Sequence, residues 1–191
     1  METLLTSIAV VALAEIGDKT MLLAIVLAAR FRQPLPIIAG IFVATLANHF
    51  LASLAGAKAA EFFTGVGFRY AVAGSFVAIG LWTLIPDKLD DDETHERGAR
   101  LGPFMATTVA FFLVEIGDKT QLATIALGAR FGDAALVAIG TTLGMLLANV
   151  PAVFLGEKLV ERIPLPVIRI AAALLFVAIG LWLAGRTAGW V

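Results

Sequence analysis

ALAEIGDKTMLLAIVLAARF occupies residues 12–31 and FLVEIGDKTQLATIALGARF residues 112–131, and the two agree at 13 of 20 positions without a gap. The shift of 100 residues then holds across most of the chain. Gly40 meets Gly140, Gly56 meets Gly156, Lys58 meets Lys158, Arg69 meets Arg169, and SFVAIGLW (75–82) meets LFVAIGLW (175–182). One local slip interrupts the register: Leu46-Ala47-Asn48 matches Leu147-Ala148-Asn149, one residue late. The chain is therefore a duplicated unit, and each copy carries EIGDKT inside an apolar run.

Composition says what surrounds those motifs. Of 191 residues 60% are hydrophobic and 15% charged, with a mean hydropathy of +0.94. Soluble domains carry about a quarter charged residues, so this balance is that of an integral membrane protein. The net charge of -1 offers no basic surface for nucleic acid. The absence of cysteine removes disulfides and thiolate chemistry and leaves the redox compartment undetermined; a metal would have to be held by oxygen or imidazole. The opening METLLTSIAVVALA resembles the apolar part of a signal peptide but lacks a positive start. It has an apolar counterpart at 104–114, ahead of the second EIGDKT, and is expected to stay in the mature protein.

Six apolar stretches, at about 4–29, 35–57, 70–86, 104–129, 134–156 and 165–185, approach or exceed the roughly 20 residues a membrane helix needs. Three spans per copy is an odd number, so the second copy enters the bilayer from the opposite side. The expectation is an all-α membrane protein of six transmembrane helices in two inverted three-helix repeats, residues 1–86 and 103–191, joined by an acidic linker at 87–102. Short loops place eight Lys and Arg on the side of Arg30 and Lys88 and four on the side of Lys58 and Arg130. The positive-inside rule then puts the acidic linker in the cytoplasm and both termini outside.

The first and fourth stretches would be roughly 39 Å long as ideal helices, longer than the ~30 Å hydrocarbon core, and their midpoints fall at Gly17 and Gly117. An uncompensated Asp or Lys at that depth costs about 2.5 to 3.5 kcal/mol. Glu15, Asp18, Lys19, Glu115, Asp118 and Lys119 are thus expected to face one another in a wet or protein-lined cavity. Glu and Asp at i and i+3 share a helix face, and the glycine between them permits a local break that frees carbonyl oxygens. Thr20, Thr120 and Gln121 add neutral oxygens, and Asn48 and Asn149 supply an amide each from the second helix of each copy. Their one-residue offset turns a helix by about 100°, so only one of the two is expected to reach the site unless the helix is distorted. Hard oxygen donors of this kind suit Mn²⁺, Ca²⁺ or Mg²⁺. Four ionised carboxylates and two ammonium groups leave two net negative charges, which one divalent cation or two protons would cancel. Cation and protons would compete for one site, the basis of an exchange cycle.

The E-x-G-D-[KR]-[ST] signature, read as Glu15 to Thr20 and Glu115 to Thr120 in two inverted three-helix halves, resembles uncharacterised protein family 16. That family includes Golgi calcium/manganese transporters and bacterial manganese exporters of the MneA type. The resemblance spans essentially the whole chain. It implies export of Mn²⁺ or Ca²⁺ in exchange for protons, with both motifs forming the binding site, no bound cofactor, and a location in the bacterial inner membrane. Met21 stands opposite Gln121 and Leu51 opposite Pro151, so the half-sites need not be equal.

Several features have plainer readings. A buried ion-pair lattice would explain the motifs without transport, but buried ion pairs stabilise weakly and intramembrane charges usually mark function. His49 has no histidine counterpart in the second copy and reads as a satisfied or interfacial histidine rather than a ligand. Gly140-Thr-Thr-Leu-Gly144 reads as close helix packing, with a homodimer contact as one use, and Trp82, Trp182 and Trp190 read as interface anchors. The rivals to divalent-cation export are export of a cationic amino acid or other small solute, and an intramembrane enzyme using paired carboxylates. The enzyme reading lacks a nucleophile constellation and gives no reason to duplicate the site.

Overall fold

In the lipid interior every backbone polar group must be paired within its own segment, which leaves helices as the form for long runs of Leu, Ala, Ile and Val. A computed structural model describes residues 1–86, 102–156, 158 and 164–190, and its regular structure there is entirely α-helical. The helices are α1 (Glu2–Glu15), α2 (Lys19–Phe31), α3 (Pro34–Phe62), α4 (Val66–Thr83), α5 (Pro103–Glu115), α6 (Lys119–Phe131), α7 (Ala134–Leu155) and α8 (Leu165–Ala188). Four of them, α3, α4, α7 and α8, are long and apolar enough to cross a membrane. The acidic linker expected at 87–102 lies almost wholly outside the described residues.

The first and fourth apolar stretches do not run through as single helices. Each is two helices meeting at its motif: α1 ends at Glu15 and α2 starts at Lys19, while α5 ends at Glu115 and α6 starts at Lys119. The breaks sit at Gly17 and Gly117, whose φ values of +85° and +80° are open to glycine and strained for other residues. A single turn bridges each break, Asp18 N–H donating to Glu15 O at 3.0 Å and Asp118 N–H to Glu115 O at 3.2 Å. Asp18 and Asp118 then stand at the N-cap positions of α2 and α6, where a carboxylate complements the helix dipole.

The halves grip one another through contacts that recur 100 residues apart. α1 packs along α7 and α5 along α3, while α4 packs along α8. Glycines set the close approaches: a Cβ at Gly40 would lie 2.8 Å from Thr107 Cβ, and one at Gly140 would lie 2.7 Å from Ser7 Cβ. Gly80 abuts Ala173 O and Gly180 abuts Ala73 O in the same reciprocal way. Phe76 and Phe176, equivalent residues of α4 and α8, meet with ring centroids 6.3 Å apart. The packing expected of Gly140 and Gly144 is present within the chain, against Leu4, Ser7, Ile8 and Ala12 of α1.

Polarity is distributed the wrong way round for water. Leu174, Leu181, Phe154 and Leu147 lie at least 60% exposed, whereas Glu15, Glu115, His49, Asn149 and Thr20 are wholly buried. An apolar exterior enclosing charged and polar side chains among the apolar core is the arrangement of a protein whose solvent is lipid.

Candidate metal-binding site

The breaks in the two motif segments bring their carboxylates to one point. One carboxylate oxygen from each of Glu15, Glu115 and Asp118 lies within 4.8 Å of the other two, and all three residues are buried. Threonines in the first turn of α2 and α6 hold them. Thr20 Oγ1 donates to Glu15 Oε2. Thr120 Oγ1 lies 3.1 Å from both Glu115 Oε2 and Asp118 Oδ2, while Thr120 N–H donates to Asp118 Oδ2 at 3.3 Å. Glu15 Oε1 and Glu115 Oε1 have no hydrogen-bond partner among the described residues. Like charges this close repel strongly where water is scarce, so they call for a compensating cation or protons.

The lysines take different places. Lys19 crosses from the first motif to the second and pairs with Asp118 at 3.3 Å, its side chain one-fifth exposed. Lys119 Nζ donates to Ile85 O at 3.1 Å and stands 5.8 Å from the Trp82 ring centroid. Asp18 is buried at the N-terminus of α2, outside the converging trio.

The two asparagines find different partners. Asn48 on α3 reaches across, donating to Phe112 O at 3.1 Å and accepting from Gln121 Nε2 at 2.8 Å. Gln121 Oε1 in turn accepts the N–H of Gly117 at 2.8 Å, so one chain of hydrogen bonds ties α3 to the break between α5 and α6. Asn149 instead turns back on its own helix, its Nδ2 3.0 Å from Met145 O and 2.9 Å from Met145 Sδ. The first copy has Met21 where the second has Gln121 and lacks the equivalent link. Gln121→Met would leave Asn48 Oδ1 and Gly117 N–H without this partner, at a cost of about 1 to 3 kcal/mol. The expected result is a lower melting temperature in a thermal-denaturation assay, accompanied by weaker metal-induced stabilisation.

His49 is the residue whose position departs from its plainer reading. It is wholly buried, one residue beyond Asn48, and its Nε2 stands 3.8 Å from Glu115 Oε2. No spacing rule pointed to it, because the second copy offers no histidine to align with it. Its neighbour Asn48, shared between the copies, was the available sign that this turn of α3 faces the motifs.

The sequence profile of the divalent cation/proton antiporter family GDT1 matches residues 3–91 and 103–189. The chain belongs to that family. A Vibrio cholerae serotype O1 protein named "Putative manganese exporter" is 50% identical over 182 residues, covering 95% of this chain and 90% of its own length. GDT1-like protein 5 of Arabidopsis thaliana is 26% identical over 212 residues, covering 92% of each chain, and a GDT1-like protein of Synechocystis sp. is 29% identical over 188 residues, covering 87% of this chain and 88% of its own. No solved structure matches the chain. Membership of GDT1 makes the chain a transporter and sets the intramembrane-enzyme reading aside. It also bears out the resemblance drawn from the two motifs, which fall one in each matched segment.

Proposed function

We propose that this GDT1 protein is a six-span secondary transporter that exports Mn²⁺ from the cytoplasm in exchange for protons, with Ca²⁺ the second candidate cargo. The observation that carries the reading is the meeting of Glu15, Glu115 and Asp118, one motif from each half, at a buried point inside a lipid-facing body. Three carboxylates and the neighbouring Thr20, Thr120, Gln121 and Asn48 form an oxygen-rich set suited to a hard or borderline divalent ion.

In this reading α1 with α2, and α5 with α6, each cross the membrane once as a broken span, joining the four long helices to make six. The reciprocal glycine contacts support two inverted repeats, and the breaks at the motifs support a site near mid-depth, where rocking of one half against the other would expose it to either side. Lys19 and Lys119 balance charge, Lys19 by leaving Asp118 when a cation arrives. Both termini lie outside and the acidic linker in the cytoplasm of a bacterial inner membrane, as the loop charges favour.

The test is flux into proteoliposomes carrying an imposed pH gradient. With an acidic lumen, Mn²⁺ should accumulate inside as protons leave and the lumen alkalinises, and an ionophore that collapses the pH gradient should abolish accumulation above the external concentration. Mn²⁺ movement indifferent to the pH gradient would sink proton exchange, and absence of any divalent flux would return the small-solute reading.

A further inference from the structure

His49 Nε2 lies 3.8 Å from Glu115 Oε2, the same oxygen that accepts from Thr120. The ring is wholly buried, and neither of its nitrogens has a hydrogen-bond partner among the described residues. A buried donor or acceptor left unpaired costs about 1 to 3 kcal/mol, so an imidazole held in this state beside a carboxylate cluster is a burden to the fold unless it serves the site.

We propose that His49 Nε2 is a nitrogen ligand of the transported cation and sets the preference of the site for a transition metal over Ca²⁺ and Mg²⁺. The inference rests on the carboxylate cluster being the transport site. Two donors bonded to one ion at about 2.2 Å stand about 3 Å apart when adjacent and about 4.4 Å apart when opposite. The observed 3.8 Å to Glu115 falls between these limits, while His49 stands outside the trio clustered within 4.8 Å, so it would join the ion from the Glu115 side as the ring shifts toward it. Ca²⁺ and Mg²⁺ take oxygen, whereas first-row transition ions gain from imidazole. The discrimination is therefore against the hard ions as a class, and the affinity order among transition metals would still rise from Mn²⁺ towards Cu²⁺. The second half has Asn149 or Val150 at the aligned positions, so the site takes one nitrogen from one half, and the half-sites differ in chemistry as well as in hydrogen bonding.

Pulsed electron paramagnetic resonance of Mn²⁺ bound to the full chain in detergent tests this directly. The only other histidine is His95, which lies outside the described residues and serves as the control. Expected are the modulations of a directly bound ¹⁴N nucleus, replaced by the ¹⁵N pattern in protein labelled with ¹⁵N-histidine, kept in His95→Ala and lost in His49→Gln. In flux assays His49→Gln should lower the Mn²⁺ to Ca²⁺ rate ratio about tenfold. Bound Mn²⁺ that disappears in Glu115→Gln yet shows no nitrogen signal in the native protein would overturn the role of His49 and leave the carboxylate site standing. Bound Mn²⁺ that persists unchanged in Glu115→Gln, or no Mn²⁺ bound at all, would overturn both. Labelling of the native protein keeps the test decisive even where His49→Gln fails to fold.

Discussion

Glu15→Gln and Glu115→Gln should each reduce Mn²⁺ flux by about 100-fold or more while leaving the protein at least as stable as the native chain. Each substitution removes one negative ligand, and loss even of a group that merely orients a ligand typically weakens metal binding by about 10- to 100-fold. Glutamine preserves the shape of the side chain and an acceptor for Thr20 or Thr120. It also stands in for the protonated acid, the form that a metal-free site shared by cation and protons takes where three carboxylates gather within 4.8 Å, so the metal-free fold keeps its stability. Two melting curves separate site from scaffold. Without metal the variants should melt at or above the native temperature, and with excess Mn²⁺ only the native protein should gain further, because a ligand stabilises only a fold that binds it. A buried ion-pair lattice predicts the reverse: the Gln variants would melt well below native, and Mn²⁺ would shift neither curve.

The second large effect is steric. Gly56→Val and Gly128→Val should each lower the melting temperature by about 10 °C and abolish transport. A Cβ at Gly56 would lie 1.9 Å from Ile125 O and 2.8 Å from Ala129 N, and one at Gly128 would lie 2.3 Å from Ser53 O. These are backbone atoms of the facing helix, so no rotamer change relieves the overlap and α3 must part from α6. Overpacking of this kind costs about 1 to 3 kcal/mol and more where backbone resists, or about 2 to 4 °C per kcal/mol in a chain of this size. The same interface carries the Asn48–Gln121 hydrogen bond, so separation also loosens the site. Gly74 on α4 is the control, since a Cβ there meets nothing within 4 Å. Gly74→Ala should be neutral or slightly stabilising, because alanine favours the helix. Equal losses at Gly74 and Gly56 would refute the packing argument.

Much of this protein is legible before any coordinates. Carboxylates and lysines repeated inside two apolar runs cannot be left in lipid, and that energetic demand singles out EIGDKT as the segment that protein must enclose. The glycine within it announces the break, because no other residue sits comfortably at φ near +80°. The one-residue slip between Asn48 and Asn149 was readable too, and it turns a helix by about 100°, in keeping with the different hydrogen-bond partners the two find.

Other features depend on how the halves lie against each other. Lys19 and Lys119 are equivalent in sequence, yet one pairs with Asp118 and the other reaches Ile85 O beside Trp82. Asp18 and Asp118 occupy the same cap position, yet only Asp118 joins Glu15 and Glu115. His49, unmatched in the repeat, ends against Glu115. By itself the amino-acid order determined the duplicated helical plan, the chemistry gathered at each motif and the place where each motif helix breaks, because these follow from local backbone sterics and from the cost of charge in lipid. Only the tertiary structure decided which members of two identical motifs meet, because a few ångströms of asymmetric packing between long helices choose among side chains that the repeat makes equal.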